Sequence, residues 1–228
     1  MKRRFDLLDA WRSLAIALMV TYHFLYDLAL FGVITWRQMF STPLNVLQKF
    51  ICCSFIFLAG ASARFSRSNL RHGLVVLAAG VIVEIGALVG GQVIRFGVLM
   101  LLGSSMVIYH FVGKHLRKLP GLPLALVSAA LYFLTGAATG AVTVTSRWLY
   151  PLGLTYPGFS SADYFPLLPW FFLFIVGTVF GGWCLNHREN RALTAPLPAF
   201  LTWPGRHSLL IYVLHQPVLY GLSLLIWG

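Results

Sequence analysis

Charge is what this sequence has least of. Only 10% of its 228 residues are Asp, Glu, Lys or Arg, and just six of those are acidic. Soluble domains carry about 25% charged residues, so an ordinary soluble globule, a disordered chain and a coiled coil are all excluded. No polar stretch leaves room for a sizeable soluble domain. Cysteine is scarce as well. Cys52, Cys53 and Cys184 are odd in number, sit in or at the ends of apolar runs and fit no metal or disulfide spacing. They read as small packing residues, and no metal site is expected. What remains is apolar: 58% of the residues are hydrophobic and the mean hydropathy is +0.79. The chain reads as an integral membrane protein, all-α because no β-barrel alternation occurs.

At about 20 residues per crossing, the length holds roughly seven or eight helices. Seven apolar segments are legible, at about 7–31, 44–63, 72–90, 96–112, 121–142, 165–185 and 207–227. The fourth is the shortest, so 72–112 reads either as two spans or as a long re-entrant pair. The net charge of +11 does not point to nucleic acid, because the basic residues are divided among short loops. Lys2, Arg3 and Arg4 precede the first segment; Arg37 and Lys49 fall in the first loop. Then follow Arg64, Arg67 and Arg71, next Arg95, next Lys114, Arg117 and Lys118, next Arg147, and last Arg188, Arg191 and Arg206. The basic counts alternate 3, 2, 3, 1, 3, 1, 3, 0. That is the positive-inside pattern of about seven spans with a cytoplasmic N-terminus and an external C-terminus. An eighth span would break it. Asp9 and Arg12 interrupt the first apolar stretch and no small-residue cleavage site follows it, so that segment reads as a permanent helix and not a cleaved signal. No internal repeat or long linker is evident, and 1–228 reads as one transmembrane domain. The loop at about 143–164, rich in aromatic residues, Gly and Pro, reads as an external lid or wall.

Ionisable groups are expensive inside a bilayer, so each one within a span is a functional candidate. The first segment carries Asp9, Arg12, His23 and Asp27. At about 100° per residue, Arg12 lies near −60°, His23 near −40° and Asp27 near 0° from Asp9, a single stripe about 60° wide. His23 and Asp27 are an i,i+4 pair, which predicts a carboxylate orienting the imidazole. Arg12 precedes His23 by about 16 Å along the same face. In the last segment Ser208, Tyr212 and His215 fall within about 60° of each other. Gln216 follows, and Pro217 frees a carbonyl near Val213. Glu84 and Arg95 are close enough in sequence to pair. Asp163 reads as a helix N-cap ahead of a Pro-broken aromatic start that includes Trp170.

These residues carry a resemblance. Arg4 to Asp27 reads R-x2-L-L-D-x2-R-x3-I-x-L-M-V-x2-H-x3-D, and the Arg12-x10-His23 spacing is similar to the signature of the family-three integral-membrane acyltransferases. Over nearly its whole length the chain more closely resembles small bacterial relatives of the heparan-α-glucosaminide N-acetyltransferase catalytic domain. The matching positions are Asp9/Arg12/His23/Asp27, Phe57–Gly60, Phe96–Leu99, Asp163/Pro166/Pro169/Trp170 and Gly205/His207/Ser208/Tyr212/His215/Gln216/Pro217. The resemblance implies a transmembrane acyltransferase of the bacterial inner membrane. It would move an acyl group, acetyl above all, from cytoplasmic acyl-CoA to a hydroxyl or amine of an extracytoplasmic glycan. His23, oriented by Asp27, would be the general base, with His215 also catalytic. Arg12, Asp9, Ser208, Tyr212 and Gln216 would serve the acyl-CoA, and Arg95, Asp163, Trp170 and Glu84 the acceptor. One position departs: Met100 stands where the family commonly has a histidine, so either His23 or His215 does the proton work or the activity is lost or changed. The residues alone also leave open a proton-coupled transporter using the same Asp/His/Arg relay, although no inverted repeat supports it, and a non-catalytic relative. A homo-oligomer is open too.

Overall fold

The computed structural model describes residues 5–228. The basic residues Lys2, Arg3 and Arg4 lie outside the described residues. The described chain is all-α: α1 (Asp6–Leu30), α2 (Trp36–Met39), α3 (Thr42–Phe65), α4 (Asn69–Val89), α5 (Val98–Leu116), α6 (Gly121–Ala141), α7 (Leu167–Asn186), α8 (Arg191–Thr194), α9 (Ala199–Arg206) and α10 (Ser208–Trp227), with a short 3-10 turn at Tyr150–Leu152. Six of them, α1, α3, α4, α6, α7 and α10, are long and apolar enough to cross a membrane. The fourth expected segment is the helix α5. At 19 residues it has the length of a span, but His110, Lys114 and His115 in its last turns dilute its hydropathy. The protein is therefore a multi-pass membrane protein by its helices. Its outward apolar side chains agree: Leu122, Leu126, Phe133 and Leu134 of α6 are all exposed, as lipid-facing groups are.

The chain forms two compact units. One comprises the chain up to Phe55 together with His187–Gly228; the other is Ile56–Asn186. In the first unit the core is built on α1. Ala15, Ile16, Met19, Tyr22 and Ala29 line its buried side and meet Met39, Ile51 and Phe55, with Ile211 and Tyr212 of α10 packed against them. A capping box at Thr35 and Gln38 starts α2.

The second unit is held by close helix contacts at small residues. A Cβ on Gly177 would collide with the Phe57 carbonyl, one on Gly60 with the Phe174 carbonyl, and one on Gly181 with the Ala61 carbonyl. Backbone approach of this kind is how helices pack where water gives no hydrophobic drive between them. The α4–α5 hairpin uses the same device, with Gly73 against the Gly103 carbonyl. Met100 fills the space over Gly80, where its Sδ and N lie 2.9 and 3.2 Å from the position of an added Cβ. Met100, at the position where the resemblance led to the expectation of a histidine, is thus a packing group. The segment 143–164 is an ordered loop. Val144 N–H donates to the Thr155 carbonyl at 2.9 Å, and the Phe159 ring packs on Tyr150, Tyr156 and Tyr164. The Tyr164 hydroxyl donates to the Tyr150 carbonyl at 2.6 Å, and burial pushes its pKa up to about 12.

Candidate active site

The polar stripe of α1 is real, and it is met along its length by the α9–α10 segment. At its start, the Leu197 N–H and the Arg206 guanidinium both reach Asp6, at 3.2 and 2.9 Å. Asp9, buried, takes Arg12 on one oxygen at 2.9 Å and Arg206 on the other at 3.3 Å. The Ser13 hydroxyl donates to the Asp9 carbonyl at 3.0 Å and accepts the Gly205 N–H at 2.7 Å. Gly205 has no choice of side chain: a Cβ there would strike the Asp9 carbonyl. Two Arg and two Asp in contact neutralise each other at the start of α1, the condition under which such charges are tolerated beside an apolar helix. Arg12 and Asp9 were expected from sequence; Asp6, Ser13 and Arg206 were not. Asp6 stands one turn before Asp9, which is the signal that could have found it. Nothing local marks Arg206 as anything but a loop charge.

Further along, His23 and His215 come together although 192 positions separate them. Their rings meet edge to face, with centroids 4.7 Å apart and planes at 80°. Each ring is fixed by its own helix. His23 Nδ1 lies 3.0 Å from the Met19 carbonyl and His215 Nδ1 lies 2.6 Å from the Tyr212 carbonyl. A carbonyl only accepts, so both Nδ1 atoms carry hydrogen and the Nε2 atoms are the ones left for chemistry. His215 Nε2 is buried with no hydrogen-bond partner among the described residues.

Here the structure corrects the i,i+4 expectation. Asp27 does not bond to His23. It is fully buried, at 0% exposure, and its Oδ1 accepts Gln216 Nε2 at 2.8 Å. The carbonyl four residues before His23 captures the imidazole first, and α10 supplies the carboxylate with an amide donor. Asp27 Oδ2 and Gln216 Oε1 are buried without partners. Tyr212, expected with Ser208 on the same face, packs edge-on against His215 at 5.5 Å and Phe55 at 6.2 Å. Ser208 opens α10 one turn earlier.

The remaining expected residues, Glu84, Arg95, Asp163 and Trp170, lie in the second unit. Glu84 and Arg95 form no ion pair. Glu84 Oε1 accepts the Gly97 N–H at 3.3 Å and Asp163 Oδ2 accepts the Val98 N–H at 3.0 Å. Both carboxyls therefore sit on the unsatisfied N–H groups that open α5, the positive end of its dipole. Asp163 does not cap α7, the helix that follows it. The loop is pinned by Ser161, which accepts the Arg95 N–H at 2.9 Å and donates to the Asp163 carbonyl at 2.6 Å. Burial pushes the Asp163 carboxyl up to about 6; the Val98 N–H pulls it down and the Glu84 carboxylate pushes it up again. Trp170 packs its ring on Tyr132 and Phe165. Among the described residues no His/Cys/Asp/Glu cluster could hold a metal ion.

Six apolar helices of spanning length, with half-buried histidines and a buried carboxyl brought together between α1 and α10, define a polytopic membrane protein. A family model described as heparan-alpha-glucosaminide N-acetyltransferase, catalytic, matches residues 4–217. The chain belongs to that family, and a transmembrane acetyltransferase is the class of protein the match supports. Comparison with curated proteins and with solved structures finds no match.

Proposed function

We propose that the protein transfers an acyl group, acetyl first, from cytoplasmic acyl-CoA to a hydroxyl or amine of an extracytoplasmic glycan, across a bacterial inner membrane. The observation that carries this reading is the contact between His23 and His215, built from the family's first and last motifs. His23 is the general base. Its Nδ1–H is held by the Met19 carbonyl, which aims Nε2 for proton abstraction. Asp27, one turn beyond His23, is anchored by Gln216 and ties α10 to α1 beside the pair without bonding to it. Arg12 and Arg206, held in place by Asp6 and Asp9, are the groups that would meet the donor's phosphates.

The topology proposed is seven spans with α5 as the fourth. Support comes from the first unit. Gly205 and Arg206, just before α10, lie at the N-terminal end of α1, and from there the two helices advance together: His215 meets His23 and Gln216 meets Asp27. Two spans that start at the same membrane face require an odd number of crossings. Six crossings would make them start at opposite faces, and α5 is the remaining helix of spanning length. With the loop charges, this favours a cytoplasmic N-terminus and an external C-terminus.

Calorimetry on purified protein in nanodiscs tests the reading. Acetyl-CoA should bind wild type, should fail to bind Arg12→Ala, and should bind His23→Ala without being consumed in the presence of an amino-sugar acceptor. No binding of acetyl-CoA or of longer acyl-CoAs to wild type would remove the donor and with it the proposal.

A further inference from the structure

We propose that His215 is the general acid of the transfer, protonating the departing thiol, and that His215 and His23 carry one proton between them through the cycle; this rests on the acyl-transfer reading above. Both Nδ1 atoms are committed to main-chain carbonyls, so proton exchange is confined to Nε2 on each ring. His215 Nε2 is buried and unpartnered among the described residues, as a group awaiting a ligand is. The rings are 4.7 Å apart, and two imidazolium ions at that spacing in apolar surroundings repel strongly. Asp27, the nearby carboxyl on α1, is engaged by Gln216 and bonds to neither ring.

The other titratable groups around the pair are weak acids. Tyr22 of α1 stands edge-on to His23 at 6.0 Å, with Cys52 of α3 beside it; Tyr26 of α1 lies beside Asp27; Tyr212 of α10 packs on His215. The cation Arg12 is about 16 Å away along the helix.

The step balances with that single proton. His215 begins as imidazolium and His23 as neutral imidazole. The acceptor oxygen or nitrogen attacks the thioester carbonyl carbon, and its proton goes to His23 Nε2 as the new bond forms. The C–S bond breaks, its electron pair goes to sulfur, and His215 Nε2 gives its proton to that sulfur. A thiolate left unprotonated in apolar surroundings would be costly, which is why an acid is needed there. Acylated acceptor and free thiol leave. Passage of the proton from His23 Nε2 to His215 Nε2 restores the starting state.

The test compares acetyl-CoA with an acetyl aryl thioester, whose more acidic thiol departs without a proton. In His215→Asn the amide can replace Nδ1–H toward the Tyr212 carbonyl; His215→Gln and a thermal-unfolding trace for each variant guard against misfolding. Expected for the His215 variants is a loss of about 100-fold or more in kcat/KM with acetyl-CoA and a loss under about tenfold with the aryl donor. His23→Asn should lose both alike. The acetyl-CoA rate of wild type should fall as pH rises and His215 loses its proton, and the His215 variants should lack that limb. This profile decides the matter if the aryl donor is refused. Equal losses with both donors, full activity with acetyl-CoA, or a descending limb that survives in the variants would each overturn the proposal. A wild type that acetylates from neither donor would instead overturn the acyl-transfer reading beneath it.

Discussion

Asp27 is a carboxyl group fully out of solvent with a single hydrogen bond, from Gln216. Removing that donor leaves a buried acceptor unsatisfied, which costs about 1–3 kcal/mol. Gln216→Leu should therefore lower the unfolding temperature in detergent measurably, and Asp27→Asn, which keeps the amide contact, should lower it less. An equal effect of the two substitutions would mean that the pair does not hold the helices. Asp163 gives a pH-dependent counterpart. Its folded pKa, raised to about 6, means that the native state holds its proton more tightly than the unfolded chain does. Its contribution is therefore most favourable below about pH 4, declines as pH rises towards 6, and is flat above that. Asp163→Asn should remove this decline from the stability profile and be the more stable form at neutral pH. The sequence made the stripe Asp9–Arg12–His23–Asp27 legible through helical periodicity, but not its bonds. Spacing places His23 within reach of Asp27; it cannot show that the Met19 carbonyl takes the ring first, or that Gln216 arrives from 189 positions away.

Helix against helix, the first unit depends on how closely α9 approaches α1. Gly205 has the Asp9 carbonyl against its Cα and Ser13 on its N–H. Gly205→Ala should push α9 away at a cost of about 1–3 kcal/mol. Because α10 continues from α9, it should also separate His215 from His23 and reduce acetyl transfer. Gly86 and Gly140 sit within helices with nothing near an added Cβ. Alanine at either should be neutral or stabilising by up to about 1 kcal/mol. Thermal unfolding of the three variants checks the contrast, and similar losses at all three sites would contradict it. Helix boundaries were legible from the apolar runs: six of the seven expected segments are candidate spans, with ends within a few residues of expectation. The helix α5 was legible as an element. Its tail of His110, Lys114 and His115 was less legible, because a charged helix end and a cytoplasmic loop look alike in composition. The Glu84–Arg95 pair failed because the free N–H groups at the start of α5 compete for the carboxylate, and they appear only once the hairpin has formed.

For the molecule as a whole, the seven-span proposal makes a sided expectation. Alkaline phosphatase fused after Gly228 should be active outside the cell, and the same reporter fused after Lys118, in the turn between α5 and α6, should be inactive. Active fusions at both positions would end the odd-count topology. The family match over 4–217 supports a transmembrane acetyltransferase, and the proposed function adds a donor on one face and an acceptor on the other. Sided proteoliposomes test that claim most directly. Labelled acetyl-CoA is supplied only on the face bearing the N-terminus, and an amino-sugar or polyol acceptor only on the opposite face. The account predicts labelled acetyl-sugar on the acceptor's side for wild type and none for His23→Asn. Acetyl-CoA left unconsumed by correctly oriented wild type, or acceptor crossing the membrane unmodified, would contradict it.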